Sequence, residues 1–343
     1  MSKPLPQRPV IAVCGATGAV GREMLKVLEQ RDFPATQVRA LASARSAGSN
    51  LAFKGGTLEV EEMTEASFVG VDIALFSAGN AISERFRPAV LDAGAVMIDN
   101  SSAFRMEEGV PLVIPEVNPE DAFAHQGIIA NPNCSTIQMV IVLDQLAKLA
   151  PLKRVVCSTY QAASGAGAGA MQELYDQSQE FLDGKPLTIE HFSHQIAFNC
   201  IPQIDVFLKD GDTKEEWKMV VETRKIMHQP RLALAMTCVR VPVLRCHAES
   251  VNVEFESAFD LEQARQALAA APGIQVMDDP ATLNYPMPGL LQGTDDIYVG
   301  RLRDDPSVAY GLQFWCVGDQ LRKGAALNAV QIAELLINPR CSC

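Results

Sequence analysis

The chain has 343 residues, which allows two domains and a core that needs neither disulfide nor metal to hold it. Its 29 basic and 41 acidic residues leave a net charge of −12, which argues against binding a phosphate backbone as the main task. With 48% apolar and 20% charged residues, collagen, coiled coil and bulk disorder are excluded.

In chain order, residues 10–13 form a short apolar run that stops at Gly15 and reads as a buried parallel strand. Helical spacing follows over 23–30, then strands over 38–41 and 73–76 and a turn at Gly79. A helix is expected over 83–92, strands over 96–99 and 112–114, and a further apolar run over 128–130. Ile137, Val140, Ile141 and Leu146 mark the next helix. This alternation predicts a Rossmann-type, doubly wound α/β domain over 1–132. From Arg154 the character changes. Strands are expected over 155–161, 236–245 and 250–259, with a Gly/Ala-rich stretch at 164–170, turns through 183–212 and a helix over 261–270. This pattern predicts a mixed α+β second domain over 133–324, and the resemblance described below implies that it is the catalytic and dimerisation domain. A last helix within 325–343 is expected to pack back on the first domain.

Nine scattered cysteines without a CxxC pair point to a reducing compartment and to no metal site. No leader-like apolar segment opens the chain and no run reaches membrane-span length, so a cytoplasmic enzyme without a membrane or nucleic-acid partner is expected.

Gly15-Ala16-Thr17-Gly18-Ala19-Val20-Gly21 sits between the first strand and the first helix, where a dinucleotide fingerprint belongs. The glycines permit a tight turn and close backbone approach, and the helix N-terminus receives the pyrophosphate. An NAD site usually offers an acid at the end of the second strand. Here the chain offers Ser43, Arg45 and Ser46, which suits a 2′-phosphate and therefore NADP.

Asn131-Pro132-Asn133-Cys134 precedes an amphipathic run, so Cys134 falls at a helix N-terminus, where backbone N–H groups and the dipole favour a thiolate nucleophile. Cys14, Cys157, Cys200, Cys238 and Cys316 read as buried structural thiols. Five histidines could supply a partner. His125 lies in a polar stretch, His191 and His194 in a turn-rich loop, His228 at an apparent helix end, and His247 at the end of an apolar strand. Strand alternation alone puts Arg240 and His247 on opposite faces, although Pro242 suggests a bend.

Six segments occur in order: the glycine turn, Asn100-Ser101-Ser102-Ala103-Phe104-Arg105, Asn131 to Ser135, Tyr160 to Gly165, Glu215-Glu216-Trp217-Lys218 and Arg240 to His247. Together they resemble the aspartate-β-semialdehyde dehydrogenase family over residues 10–336. The resemblance implies NADPH-dependent reductive dephosphorylation of L-aspartyl-4-phosphate to L-aspartate 4-semialdehyde through a cysteine thioester. That step serves lysine, threonine, methionine and diaminopimelate biosynthesis. It implies that Cys134 is the nucleophile, Gln161 orients the acyl group and His247 is the acid/base. Arg240 and Glu215 would hold the substrate's carboxylate and amino end, Arg105 and Lys218 its phosphate, and Asn133 would join them. Cofactor contacts would come from Gly15, Thr17, Gly18, Ala19, Val20, Gly21, Arg45, Ser46, Ser77, Ser164, Gly165 and Gln320. A homodimer or dimer of dimers is implied as well. Asn80 stands where the family often has a small residue, and Gln320 where many relatives carry asparagine. Arg245 is expected to point outward. The nearest alternatives are an N-acetyl-γ-glutamyl-phosphate reductase, which has no free ammonium for Glu215 to meet, and a non-catalytic NADP-binding sensor, which has no use for Cys134, Gln161 and His247 together.

Overall fold

The computed structural model describes residues 5–338. Cys341, Cys343 and the rest of the tail after 338 lie outside them. The chain divides into two units, Met1–Asn133 with Ala325–Cys343, and Cys134–Gly324.

The first unit is built on β1 (Val10–Cys14), followed by α1 (Ala19–Gln30), β2 (Gln37–Ala42), β3 (Asn50–Phe53), β4 (Gly56–Glu62), β5 (Ile73–Phe76), α2 (Asn80–Asp92), β6 (Val96–Asp99) and β7 (Ile128–Ala130). The sheet order is β3-β4-β2-β1-β5-β6-β7. All pairs are parallel except the β3–β4 hairpin. Every residue of β5 and β6 is buried, as a parallel sheet covered on both faces requires. The C-terminal helix, Leu327–Ile337, sets Leu327, Val330 and Ile332 into the same core as Ile11, Val13 and Met24. A bidentate Arg31–Glu334 pair at 2.7 Å also ties this helix to the end of α1.

Two details of this unit differ from the sequence pattern. Residues 50–62 form a hairpin that the sequence pattern does not announce, because its strands are largely exposed and the second is mostly polar. Residues 112–114 form no strand and make only an isolated Leu112↔Ala130 bridge. The flanking Pro111 and Pro115 cannot donate to a ladder. The Asn118 side chain takes the ladder's place, accepting from Ile114 N and donating to Leu112 O, each at 2.9 Å.

The second unit runs α3 (Cys134–Ala147), β8 (Leu152–Gln161), α4 (Ala168–Leu182), α5 (Lys214–Ile226), β9 (Ala233–Arg240), β10 (His247–Phe255), α6 (Leu261–Ala270), β11 (Ile274–Val276), β12 (Ile297–Asp304) and β13 (Gly311–Gly318). The mixed sheet has the order β11-β12-β13-β10-β8-β9. β10 lies antiparallel between β13 and β8, and β9 joins β8 in parallel. Thr213 caps α5 in a capping box with Glu216, whose side chain takes the Thr213 N–H at 2.6 Å. A π-helical turn, Arg322–Ala326, leads into the C-terminal helix, now α7.

Here β9 ends at Arg240 rather than 245, and β10 begins at His247 rather than 250. Pro242 lacks the donor a ladder needs, and Cys246 turns the backbone left-handed, with φ 76°. α4 grows out of the Gly/Ala-rich stretch, whose glycines hid its start at Gly167. Cys200 is exposed, so it is no core thiol, whereas Cys14, Cys157, Cys238 and Cys316 are buried. No helix among the described residues is long and apolar enough to cross a membrane.

Candidate active site

In the first unit the chain leaves β1 through Gly15, at φ +84°, and enters α1 at Ala19. A Cβ on Gly15 would strike the carbonyl of Ser77, and one on Gly21 the carbonyl of Gly15. The glycines therefore let three backbone segments touch. Gly18 is the N-cap of α1 and offers no side-chain cap, and the first turn holds no acid, so the free N–H groups there suit a pyrophosphate. Thr17 Oγ1 reaches Ser46 Oγ at 3.5 Å, tying this turn to the one after β2. That second turn carries exposed Arg45 and no carboxylate. A dinucleotide fits this cradle. Asn80, at the start of α2, is engaged with Ser102 at 3.0 Å.

Asn100 follows β6 and fastens by both its N–H and its side-chain amide to Phe76 O. Arg105 is buried, 7% exposed, and donates from Nη2 to Asn100 O at 2.8 Å. Asn133 is buried as the last residue of this unit.

The second unit begins at Cys134, half-buried, as the first residue of α3. A Cβ on Gly324 would lie 2.8 Å from Cys134 Cβ, so the π-helical turn needs a glycine where it backs the cysteine. Arg240 ends β9, and His247 begins β10. Ala162, just past β8, holds both: its carbonyl accepts from Arg240 Nη1 at 2.6 Å, and its N–H donates to His247 Nδ1 at 3.0 Å. The two side chains converge beneath Gly165, where a Cβ would stand 2.9 Å from Nη1 and 3.0 Å from His247 Nε2. The loop through Pro242 thus removes the opposition that strand alternation imposes on two residues seven apart.

Burial works against the Arg240 charge, while Glu215 and Cys134 favour it. Burial first, and Arg240 second, hold the His247 imidazole well below its usual pKa. Gln161 is buried and leans toward Glu215, with Nε2 to Oε1 at 3.4 Å. Glu215 pairs with Lys218 at 2.6 Å, and Lys218 also meets Asp205 at 3.1 Å. Burial opposes the Lys218 charge, but the two carboxylates outweigh it and raise the lysine's pKa.

Gln320 is buried. Its Oε1 accepts from Cys246 N at 2.9 Å and its Nε2 donates to Ser164 Oγ. Arg245 does not point outward. Its Nε lies 2.8 Å from the fully buried Asp319 carboxylate, which also accepts from Gly293 N and Leu321 N. His191 and His194 are exposed, and His125 is half-buried with Nδ1 accepting from Gly127 N. The sequence pattern gave no sign of Asp205, Ala162, Cys246 or Gly324. Three act through backbone atoms or backbone shape, and Asp205 lies in a turn-rich loop with no periodicity.

Two family models match the chain: "Semialdehyde dehydrogenase, NAD binding domain" over residues 10–125 and "Semialdehyde dehydrogenase, dimerisation domain" over residues 143–323. An aspartate-semialdehyde dehydrogenase of Aquifex aeolicus is 53% identical over 331 residues, covering 95% of this chain and 97% of that protein. The crystal structure of aspartate semialdehyde dehydrogenase II from Vibrio cholerae, complexed with ASA, superposes with a TM-score of 0.94 at 46% identity and covers 97% of this chain and 99% of its own. An aspartate semialdehyde dehydrogenase from Candida albicans, solved with NADP, gives a TM-score of 0.74 at 25% identity over 96% of this chain and 98% of its own.

Proposed function

The chain belongs to the aspartate-semialdehyde dehydrogenase family, and from that we propose that it interconverts L-aspartyl-4-phosphate and L-aspartate 4-semialdehyde with NADP(H), through a thioester on Cys134. The observation that carries this reading is the grouping of Cys134, Arg240, His247 and Glu215 in one unit: a nucleophile at a helix start, a buried guanidinium, an imidazole and a carboxylate. Arg240 binds the α-carboxylate with its planar fork. Glu215 meets the α-ammonium, and Gln161, leaning on Glu215, orients the acyl carbonyl. Arg105 and Lys218 supply the cations for phosphate, and Asn133 adds a polar contact beside the nucleophile. Lys218 carries its charge while held between Glu215 and Asp205, so it is positioned before phosphate arrives.

Bound NADP supplies the hydride chemistry. Gly15, Thr17, Gly18, Ala19, Val20 and Gly21 would hold its pyrophosphate, Arg45 and Ser46 its 2′-phosphate, and Ser77, Ser164, Gly165 and Gln320 its nicotinamide end. The open face of the second sheet supports a homodimer, or a dimer of dimers. On that face Tyr160 and Trp315 pack ring against ring at 5.2 Å, with Tyr160 38% exposed. The same reading puts the enzyme in the cytoplasm, on the route to lysine, threonine, methionine and diaminopimelate.

The test is phosphate-dependent reduction of NADP by aspartate semialdehyde, run beside N-acetylglutamate semialdehyde. Turnover of the free amino acid alone is expected, because Glu215 is placed for an ammonium. Preference for the acetylated aldehyde would overturn the assignment.

Cofactor choice has its own test. Arg45→Glu is expected to weaken NADPH binding by roughly one to two decades, the worth of one charge-assisted contact, and to spare NADH. Titration of each cofactor by fluorescence measures this. Equal losses would mean that Arg45 does not read the 2′-phosphate.

A further inference from the structure

The chain between α4 and α5 forms no helix or strand, yet its stretch 188–197 is tied to α4 by buried side chains. Glu173 and Gln177 stand one turn apart on α4 and are 6% and 0% exposed. Glu173 accepts from Glu190 N at 3.1 Å and from His191 N at 2.5 Å. Gln177 accepts from Ile196 N at 2.9 Å and Ala197 N at 3.2 Å, and donates to Thr188 O at 2.8 Å and to Glu173 at 2.9 Å. Buried polar groups must be satisfied, and these two are satisfied by the backbone of the stretch, so they fix where it lies.

This strap closes on Arg240. β9 is the edge strand of the second sheet, and Ile201 pairs with its last residue: Arg240 N donates to Ile201 O and Ile201 N to Arg240 O, each at 2.9 Å. Phe192 is half-buried and packs on the cluster of Ala163, Leu174, Ile196, Ala197 and Ile201. The Arg240 guanidinium lies over its ring, with Cζ 6.0 Å from the centroid. The guanidinium is therefore held at one edge by Ala162 O, at 2.6 Å, and across one face by Phe192.

An aromatic face suits this position better than an anion does. Arg240 is 6% exposed, and burial works against its charge. A bonded carboxylate would support the charge but would occupy the fork that a substrate carboxylate needs. A ring supports the cation from outside the guanidinium plane and leaves the in-plane N–H groups alone. Lys218 shows the other solution, with carboxylates at 2.6 and 3.1 Å. Among the described residues, the Arg240 side chain is bonded to Ala162 O and to no carboxylate.

We propose that Phe192 is a positioning residue for binding of the substrate's α-carboxylate: carried on the strap, its ring holds the Arg240 guanidinium in one plane and shields it from water. The fork then meets the carboxylate without reorganising first, which is where preorganisation adds affinity. The inference rests on Arg240 being the carboxylate ligand, as proposed above. The ring acts through Arg240 alone, so its loss weakens binding of the amino acid and leaves the chemistry at Cys134 in place.

The test compares Phe192→Leu and Phe192→Tyr in the full-length enzyme, with steady-state kinetics for each substrate. Leucine keeps apolar bulk but has no π face, and tyrosine keeps the face. Phe192→Leu should raise the KM for aspartate semialdehyde roughly 3- to 30-fold, the worth of a cation–π contact at a desolvated site. Its kcat and its KM values for phosphate and NADP should stay near wild type, and Phe192→Tyr should keep the wild-type KM for the aldehyde. A wild-type KM in Phe192→Leu, an equal rise in both variants, or a loss confined to kcat would overturn the proposal. A second measurement needs no turnover: modification by phenylglyoxal with peptide mapping, in which Arg240 should react faster in Phe192→Leu than in wild type. Equal rates would mean that the ring does not cover Arg240. If wild type fails to turn over aspartate semialdehyde, the proposed reaction falls, while the labelling rates still decide whether Phe192 shields Arg240.

Discussion

Cys134→Ala is expected to reduce turnover on the order of 10⁴-fold or more, the scale on which covalent catalysts depend on their nucleophile, while NADP still binds. The dinucleotide cradle is built from Gly15, Gly18, Gly21 and the turn at Ser46, all in the other unit. No buried thiol among the described residues can stand in. Burial pushes the thiols of Cys14, Cys157 and Cys316 well up, and that of Cys246 to about 12, so none is a thiolate near neutral pH. Cys200 is exposed and will label, which is why the measurement must map the modified peptide as well as activity. Loss of activity should follow modification of Cys134, and Cys200→Ser should remain active. An active Cys134→Ala protein would end the thioester mechanism.

The contrast between these thiols shows where sequence reasoning succeeds. Cys134 was legible because Pro132 and the apolar run after it fix a helix start, which is a local signal. The glycine turn was legible for the same reason, through its position between a buried strand and a helix. The parallel sheet followed from runs such as Ile73 to Phe76, apolar on every residue. Legibility failed where tertiary contacts decide. The β3–β4 hairpin is too polar to announce itself. The strand expected through Arg245 breaks at Val241 because the chain must bring His247 back under Gly165. Arg245 looked like a surface charge until Asp319, 74 residues away, appeared beside it. The family resemblance named Arg240 and His247, but spacing placed them on opposite faces. What joins them is the Ala162 backbone, and backbone hydrogen bonds leave no mark on residue type.

That junction makes Gly165→Ala the most informative small substitution in the protein. Gly165 is solvent-exposed and does not occupy the left-handed region, so an alanine there strains nothing in the backbone. Its methyl group would stand 2.9 Å from Arg240 Nη1 and 3.0 Å from His247 Nε2, inside the contact distance of either. Arg240 normally could swing aside, being the far end of a flexible chain. Here it is buried and bonded to Ala162 O at 2.6 Å, and moving it breaks that bond. His247 is pinned by Ala162 N–H in the same way. The methyl must therefore displace two groups that act on the substrate in the proposed reaction, and a shift of about 1 Å costs on the order of 10²-fold in kcat/KM. Gly167→Ala, two residues on, is the matched comparison. Gly167 has φ +96° and ψ −177°, a region almost confined to glycine, and nothing within 4 Å of its Cβ position, so alanine there costs about 1–3 kcal/mol of backbone strain with no side-chain clash. Thermal melts and steady-state kinetics of the two variants should give opposite signatures: Gly165→Ala nearly as stable as wild type but slow, Gly167→Ala less stable but nearly as fast. If Gly165→Ala retains wild-type kcat/KM, Arg240 and His247 do not share one substrate pocket. If it raises only the KM for NADP, the turn serves the nicotinamide end alone and not the amino acid.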